Sequence, residues 1–369
     1  MPDTRIEVLT RNGIFMTELK GRLLNEVFSA GSSILFWKKN LNYILKSASG
    51  IIGALVPFSL ILAKLEKRPL TLNLATTNIC NAKCIFCAYR YLTLPKGFMC
   101  DGIFKKAVKD FIAVGGGRID FTPNTGEPLL DPKLLERIRY CRNFPEIRKI
   151  EFTTNGILLH KIDNQALIRS GVNEIIISIG GINRESYCRV VGVDKFEEVI
   201  LGITNLYRAN KECGKPVKIT VSLRTDQELK NIKAEAVFKK ILKIANISYI
   251  YNYHSWGGKI RAEDLRGPMR FNDPKQRQYP CCKLYGGLTV YWNGDVTVCG
   301  CSDVNSTSEL MLGNITDNSL IDLWRGGKLR NIRRDFRNGI FPDVCRVCTA
   351  QPSVKIYRRF DFLSEIFRQ

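Results

Sequence analysis

The chain has 369 residues, 45% hydrophobic and 25% charged, enough for one large domain and a smaller one. Its net charge of +21 calls for an acidic partner, whether nucleic acid, anionic membrane surface or phosphorylated substrate, unless the basic surface is merely solvated. The opening Met1-Pro2-Asp3-Thr4-Arg5-Ile6-Glu7 lacks the basic head and apolar core of a signal peptide, so the clustered cysteines among the 13 read as metal ligands rather than disulfides.

Residues 1–68 carry no metal or catalytic motif. Residues 30–67 mix apolar and basic positions at helical spacing, and 51–63 are almost wholly apolar, broken by Pro57. That run is shorter than the roughly 20 residues that span a bilayer. Two readings stand: an extension packed on the outside of the core, or a helix in a membrane interface with Trp37, Lys38, Lys39, Lys64, Lys67 and Arg68 at the head groups.

From about 70 to 260 the pattern alternates strand and helix. Strands are predicted at 72–76, 118–122, 149–153, 174–178, 218–222 and 249–253. Helices are predicted at 104–114, 132–142, 164–170, 196–213 and 234–245. The strands are short apolar or β-branched runs, as in a sheet covered on both faces.

Directly after the first strand, Cys80, Cys84 and Cys87 stand at C-x3-C-x2-C. Cubane iron–sulfur clusters sit on such short loops, because one loop wraps one small core. Three thiolates for four irons leave one iron without a protein ligand. A zinc site or three unrelated thiols is the plainer alternative.

The other strand ends also carry polar motifs. The second runs into Asn124-Thr125-Gly126-Glu127-Pro128, the third into Thr153-Thr154-Asn155-Gly156, and the fourth into Ile177-Ser178-Ile179-Gly180-Gly181. The fifth ends in Ser222-Leu223-Arg224, where a guanidinium suits a carboxylate. The sixth enters Tyr251-Asn252-Tyr253-His254-Ser255-Trp256-Gly257-Gly258-Lys259. There His254, one of two histidines, and aromatics suit a polar, phosphorylated substrate. Ordinary turns, a surface arginine and a structural histidine are the bland counterparts.

Beyond 263 the alternation stops. Cys281-Cys282 precedes two alternating runs joined by Asn293-Gly294, a hairpin signal that brings Cys281 near Cys299. Cys301 follows, then Leu312-Gly313-Asn314-Ile315, Trp324 and the pair Cys345 and Cys348. Four-thiolate zinc is the alternative for this set. Of the remaining cysteines, Cys188 after the fourth strand suits a hydrogen donor to a substrate radical, or is simply a small packed thiol. The tail 353–369 is basic, with an amphipathic pattern over 360–367.

These motifs, over about residues 70–350, resemble the radical S-adenosylmethionine (SAM) enzymes with a C-terminal SPASM/twitch extension. The resemblance implies an α/β fold: a partial (β/α)6 TIM-like barrel with a small C-terminal β-hairpin/helix iron–sulfur domain. The expected division is 1–68, 69–262, 263–352 and 353–369. The open iron held by Cys80, Cys84 and Cys87 would be chelated by SAM, with Glu127, Ser178 and Arg224 helping to hold it. Thr125 departs from the family's Gly-Gly-Glu-Pro, and Gly180 from its Ser-Ile-Asp-Gly. One auxiliary [4Fe-4S] cluster would lie on Cys281, Cys299, Cys345 and Cys348, with Cys282 and Cys301 as substitutes for the first two. Reductive cleavage of SAM would yield a 5′-deoxyadenosyl radical for hydrogen abstraction. The expected substrate is polar and anionic, a sugar, polyol or lipid-linked envelope precursor, undergoing oxidation or epimerisation, with Cys188 and His254 as catalytic candidates. A flavodoxin or ferredoxin would donate electrons in the cytoplasm or at the inner membrane face. Peptide modification is the rival on substrate; a non-catalytic iron–sulfur protein binding nucleic acid is the rival of another class.

Overall fold

The computed structural model describes residues 7–9, 56–271, 280–300, 304–350, 354–358 and 366. Strand β1 (Glu7–Leu9) lies antiparallel on the sheet edge, and helix α1 (Phe58–Lys67) starts at Pro57. Six strands then alternate with helices: β2 (Thr71–Ala75), α2 (Asp101–Ala113), β3 (Gly117–Asp120), α3 (Leu134–Arg142), β4 (Ile147–Thr154), α4 (Asn164–Arg169), β5 (Glu174–Ile179), α5 (Arg184–Val191), α6 (Phe196–Glu212), β6 (Lys218–Leu223), α7 (Leu229–Ala234), α8 (Ala236–Leu242) and β7 (Asn246–Tyr249). Strands β2 to β7 are parallel and stand in the sheet in chain order, the partial (β/α)6 barrel expected.

The two faces of this sheet differ. Leu72, Leu74, Ile119, Ile150, Phe152, Ile175, Ile177, Val221 and Leu223 are at most 1% exposed and share one core with Phe104, Val108, Phe111, Leu167, Ile203 and Leu206 of the covering helices. The alternate positions Asn73, Arg118, Asp120, Glu151, Thr153, Ser178 and Thr220 are partly exposed and polar. The expectation of apolar residues on both faces is corrected: the inner face is mostly polar, with Ile176 among the polar positions. Near the strands' N-terminal ends an ion-pair ladder crosses it. Arg118 meets Glu151 at 3.5 Å, Lys149 bridges Glu151 and Glu174, and Lys218 reaches Glu174 at 2.7 Å. The loops that carry the sequence motifs lie at the opposite, C-terminal ends, where barrels of this kind place their chemistry.

Three local expectations shift. The sixth strand is Asn246–Tyr249 rather than 249–253. The aromatic run enters the loop instead, with β8 (Asn252–Tyr253) paired parallel to β9 (Arg270–Phe271). Helix α5 was unforeseen; the Asn183 side chain caps it and Gly192, at φ +74°, ends it. The helix predicted at 234–245 breaks at Glu235, whose extended backbone separates α7 from α8.

The C-terminal part adds to the same sheet. After α9 (Lys283–Gly286), strand β10 (Gly287–Tyr291) pairs parallel with β2, and β11 (Asp295–Thr297) and β12 (Met311–Asn314) continue antiparallel. Gly287 permits this seam, since any side chain there would strike the Thr71 carbonyl. Gly294 turns the hairpin at φ +90°. Then α10 (Leu320–Arg325), α11 (Gly327–Arg337) and α12 (Asp343–Arg346) follow.

Helix α1 is clamped by this part. The indole N–H of Trp324 donates to the Leu65 carbonyl at 3.2 Å, and Arg325 donates to Lys67 O at 2.8 Å. Trp324 is fully buried under the Arg333 guanidinium, 4.3 Å from its ring. Trp324→Ala is expected to lower the unfolding free energy by about 4 kcal/mol, read from urea denaturation; a loss under about 1 kcal/mol would show that the clamp is dispensable. Arg68, expected at membrane head groups, is instead buried and donates to Gly116 O at 3.0 Å. Trp37, Lys38 and Lys39 lie outside the described residues. Among those described, no helix is long and apolar enough to cross a membrane. Of the tail, Val354, Tyr357 and Ile366 are buried in the main core.

Candidate active site

Strand β2 feeds the cysteine loop, which is held from several sides. Thr77 Oγ1 donates to Gly97 O at 2.9 Å, Asn78 Nδ2 donates to Pro95 O at 2.8 Å, and Asn78 Oδ1 accepts from Gly97 N–H at 2.9 Å. Across the loop, Lys83 and Ile85 N–H groups donate to Val191 and Val190 at the end of α5. The Cys80 N–H donates to the Tyr89 hydroxyl at 3.1 Å. Burial pushes the Cys80 thiol up to about 12, and raises Cys84 well above its ordinary value, with the charges of its two partner cysteines adding to it. The three thiols are partly buried, and each disfavours its neighbours' charge, a repulsion that a cationic iron core would relieve.

Glu127 ties this loop to the next two strand ends. Its N–H donates to Ile79 O at 2.8 Å. Its carboxylate accepts from Thr154 Oγ1 at 2.6 Å, Leu129 N–H at 3.1 Å and Asn155 N–H at 2.8 Å. Burial pushes it up to about 7 against these three donors. The side chain is thereby a brace between loops. The sequence reading missed Asn155, whose Nδ2 donates to Asn81 Oδ1 at 2.7 Å, inside the cysteine loop. In the sequence it stands within the Thr153-Thr154-Asn155-Gly156 strand ending, with no role of its own.

Arg224 follows β6, its N–H bonded to Ile179 O. Its guanidinium lies 5.6 Å from the Phe86 ring centroid and its charge reaches Cys84, while its Nε is buried with no partner. Ser178 sits one strand over, on the inner face, paired in register with Ser222.

The sixth loop brings His254 to the same place. Its ring packs on Trp256 at 4.5 Å, and its Nδ1 accepts from Trp256 N–H at 3.3 Å. Burial, then the Arg224 and Lys283 cations, push the imidazole down to about 4. Unfolded, it titrates near 6.5. Above that value both states carry a neutral ring; as pH falls from 6.5 toward 4 only the unfolded chain binds the proton, so stability is lost, up to about 3 kcal/mol. In urea titrations at about pH 7 and pH 4.5, His254→Asn is expected to lose less stability on acidification than the parent. Equal losses would place the ring in solvent. Trp256, Gly257 and Gly258 all have left-handed backbone, φ +50°, +65° and +85°.

The second cysteine set starts beside Lys283. Cys281 and Cys299 feel each other's charge, and burial raises Cys281 well above its ordinary value. The Cys282 charge also acts on Cys281, and Cys282 is hydrogen-bonded by the Tyr357 hydroxyl, which donates to Cys282 O at 2.8 Å. Cys345 lies on α12, and the Cys348 N–H donates to its carbonyl at 3.3 Å. Cys301 is outside the described residues. Among those described, no three His, Cys, Asp or Glu side chains gather as one metal ion would need.

Cys188 is not brought to this centre. Its Sγ donates at 3.5 Å to Asp194, which forms a solvent-exposed ion pair with Arg184.

A partial barrel with thiol loops at its C-terminal rim defines an iron–sulfur radical enzyme core. Residues 74–236 match the Radical SAM superfamily model, and residues 281–349 match that of the SPASM iron-sulfur cluster-binding domain, together more than half of the chain. The chain belongs to the radical SAM enzymes that carry a SPASM domain. The cofactors of these domains are a SAM-binding [4Fe-4S] cluster, SAM and auxiliary iron–sulfur clusters, and the partly buried thiols and the Arg224 Nε, buried without a partner, fit them.

Curated relatives include GTP 3',8-cyclases. That of Pasteurella multocida is 25% identical over 54% of this chain and 61% of its own length; that of Petrotoga mobilis is 31% identical over 48% and 55%. The chain thus spans about three fifths or less of these relatives. In fold it is similar to BtrN in complex with AdoMet and 2-DOIA (TM-score 0.53, 19% identity, 78% of this chain and 96% of that one). It is likewise similar to Streptococcus suis SuiB bound to precursor peptide SuiA (0.54, 16%, 85% and 83%).

Proposed function

We propose that the chain cleaves SAM reductively and uses the resulting 5′-deoxyadenosyl radical to take a hydrogen atom from a polar, anionic small molecule. Cys80, Cys84 and Cys87 hold the catalytic cluster, which supplies the electron when reduced by a flavodoxin or ferredoxin. Arg224 pairs with the SAM carboxylate, Ser178 lies beside the nucleoside, and Glu127 keeps the loops in register. Cys281, Cys299, Cys345 and Cys348 hold a single auxiliary cluster.

The observation that carries the substrate reading is His254. Its ring packs on Trp256 at 4.5 Å, the Trp256 indole bonds the Phe86 carbonyl, and Phe86 lies under the Arg224 guanidinium, while the Lys283 charge also acts on the imidazole. Two cations, a neutral imidazole and aromatic rings receive an anion and orient it, while the walls exclude water that would quench a radical. The GTP-directed relatives support an anionic substrate. With Cys188 turned to solvent, oxidation is favoured over epimerisation.

Anaerobic reconstitution followed by SAM and dithionite tests the reaction: 5′-deoxyadenosine is expected, and a protein holding only zinc that yields none would refute it. Deuterium transfer into 5′-deoxyadenosine from labelled sugar phosphates or nucleotides tests the substrate class. Transfer only from a peptide would replace it.

A further inference from the structure

Residues 255 and 256 grip two loops that are far apart in the chain. The Trp256 indole N–H donates to Phe86 O at 2.9 Å, one residue before Cys87. The Ser255 N–H donates to Thr349 Oγ1 at 2.8 Å, and Ser255 Oγ donates to Val347 O at 3.2 Å, inside and just beyond the Cys345–Cys348 loop. Both residues are buried, and Trp256 forms a small core with Ala88 and Ile260, with Cys87 packed against it. A tryptophan at φ +50° is rare, so its conformation is held by these contacts rather than by local preference. Phe86 in turn sits under Arg224 and packs on Tyr253 at 5.1 Å.

We propose that Ser255 and Trp256 are positioning residues that transmit the order of the Cys345–Cys348 loop to Phe86, Cys87 and Arg224, so that a filled auxiliary site sets the geometry of the SAM site. The inference rests on the proposed function but concerns coupling, not chemistry. When the auxiliary loop is fixed, Val347 O and Thr349 fix Ser255. The stiff left-handed stretch passes that position to the indole, and the indole to the Phe86 carbonyl. The coupling is reciprocal: SAM binding must also act on the auxiliary site.

The test compares the parent with Thr349→Val, Trp256→Phe and Thr349→Ser, each reconstituted anaerobically. Iron content, the spectrum of the reduced catalytic cluster with and without SAM, and KM for SAM are measured. Thr349→Val and Trp256→Phe are expected to keep their iron, to weaken the SAM-induced spectral change, and to raise KM for SAM about tenfold with a smaller change in kcat. Thr349→Ser, which keeps the hydroxyl, is expected to match the parent. Thr349→Val with the parent's spectrum and KM would overturn the proposal, since among the described residues the Thr349 hydroxyl is bonded toward the SAM site through Ser255. The spectrum needs no turnover, so it decides the coupling even in a parent that makes no 5′-deoxyadenosine; that failure would count against the proposed function alone.

Discussion

Cys84→Ala is expected to reduce the iron content by about four atoms per chain, one cluster's worth, and to bring SAM cleavage to background. Cys84 is the middle of the three thiols, and its charge interacts with both neighbours and with Arg224. An alanine leaves two thiolates, too few to retain a cubane. The loop's fastenings through Thr77, Asn78 and Lys83 do not involve the sulfur, so the circular dichroism spectrum should be unchanged. Cys188→Ala serves as control, because Cys188 faces an exposed ion pair and should keep full iron and full cleavage. Parent-like SAM cleavage by Cys84→Ala would remove the basis of the proposed reaction.

The second large effect is on SAM itself. Arg224→Ala is expected to raise KM for SAM by roughly ten- to a hundredfold, from about 1.5–3 kcal/mol of lost charged hydrogen bonding. The backbone there is bonded through its N–H to Ile179 and is indifferent to the side chain. Arg224→Lys keeps the charge but not the planar fork, and should recover only part of the loss. An unchanged KM in Arg224→Ala would reduce the guanidinium to a cap on Phe86.

Much of the site could be read from the chain because its signals are local. The C-x3-C-x2-C loop directly follows a strand, and Asn293-Gly294 between alternating runs gives a hairpin that brings Cys281 near Cys299. Arg224 and His254 follow the fifth and sixth strands, Arg224 over the Phe86 ring and His254 against Trp256, whose indole bonds the Phe86 carbonyl. Other features left no local trace. Glu127 stands in a recognisable motif, yet its carboxylate is taken up by Thr154, Leu129 and Asn155, partners that only the meeting of two strand ends supplies. Helix α5 hid behind Gly180-Gly181, which read as loop, and with it went the direction of Cys188. The sixth strand was misplaced because its aromatic neighbours carry a stronger strand signal than Asn246-Ile247-Ser248.

By itself the sequence determined the ligand chemistry, the six-unit alternation and the hairpin, since each is encoded within a few adjacent residues. The tertiary structure alone decided three matters. The hairpin joins the barrel sheet along β2 instead of standing apart, because Gly287 lets two backbones meet at Thr71. Next to the consecutive Cys281 and Cys282, it set the Tyr357 hydroxyl, which donates to the Cys282 carbonyl. It also joined the two cysteine sets through Ser255 and Trp256. Each depends on which surfaces face one another after folding, and contacts across more than 70 residues have no signature in any short stretch of chain.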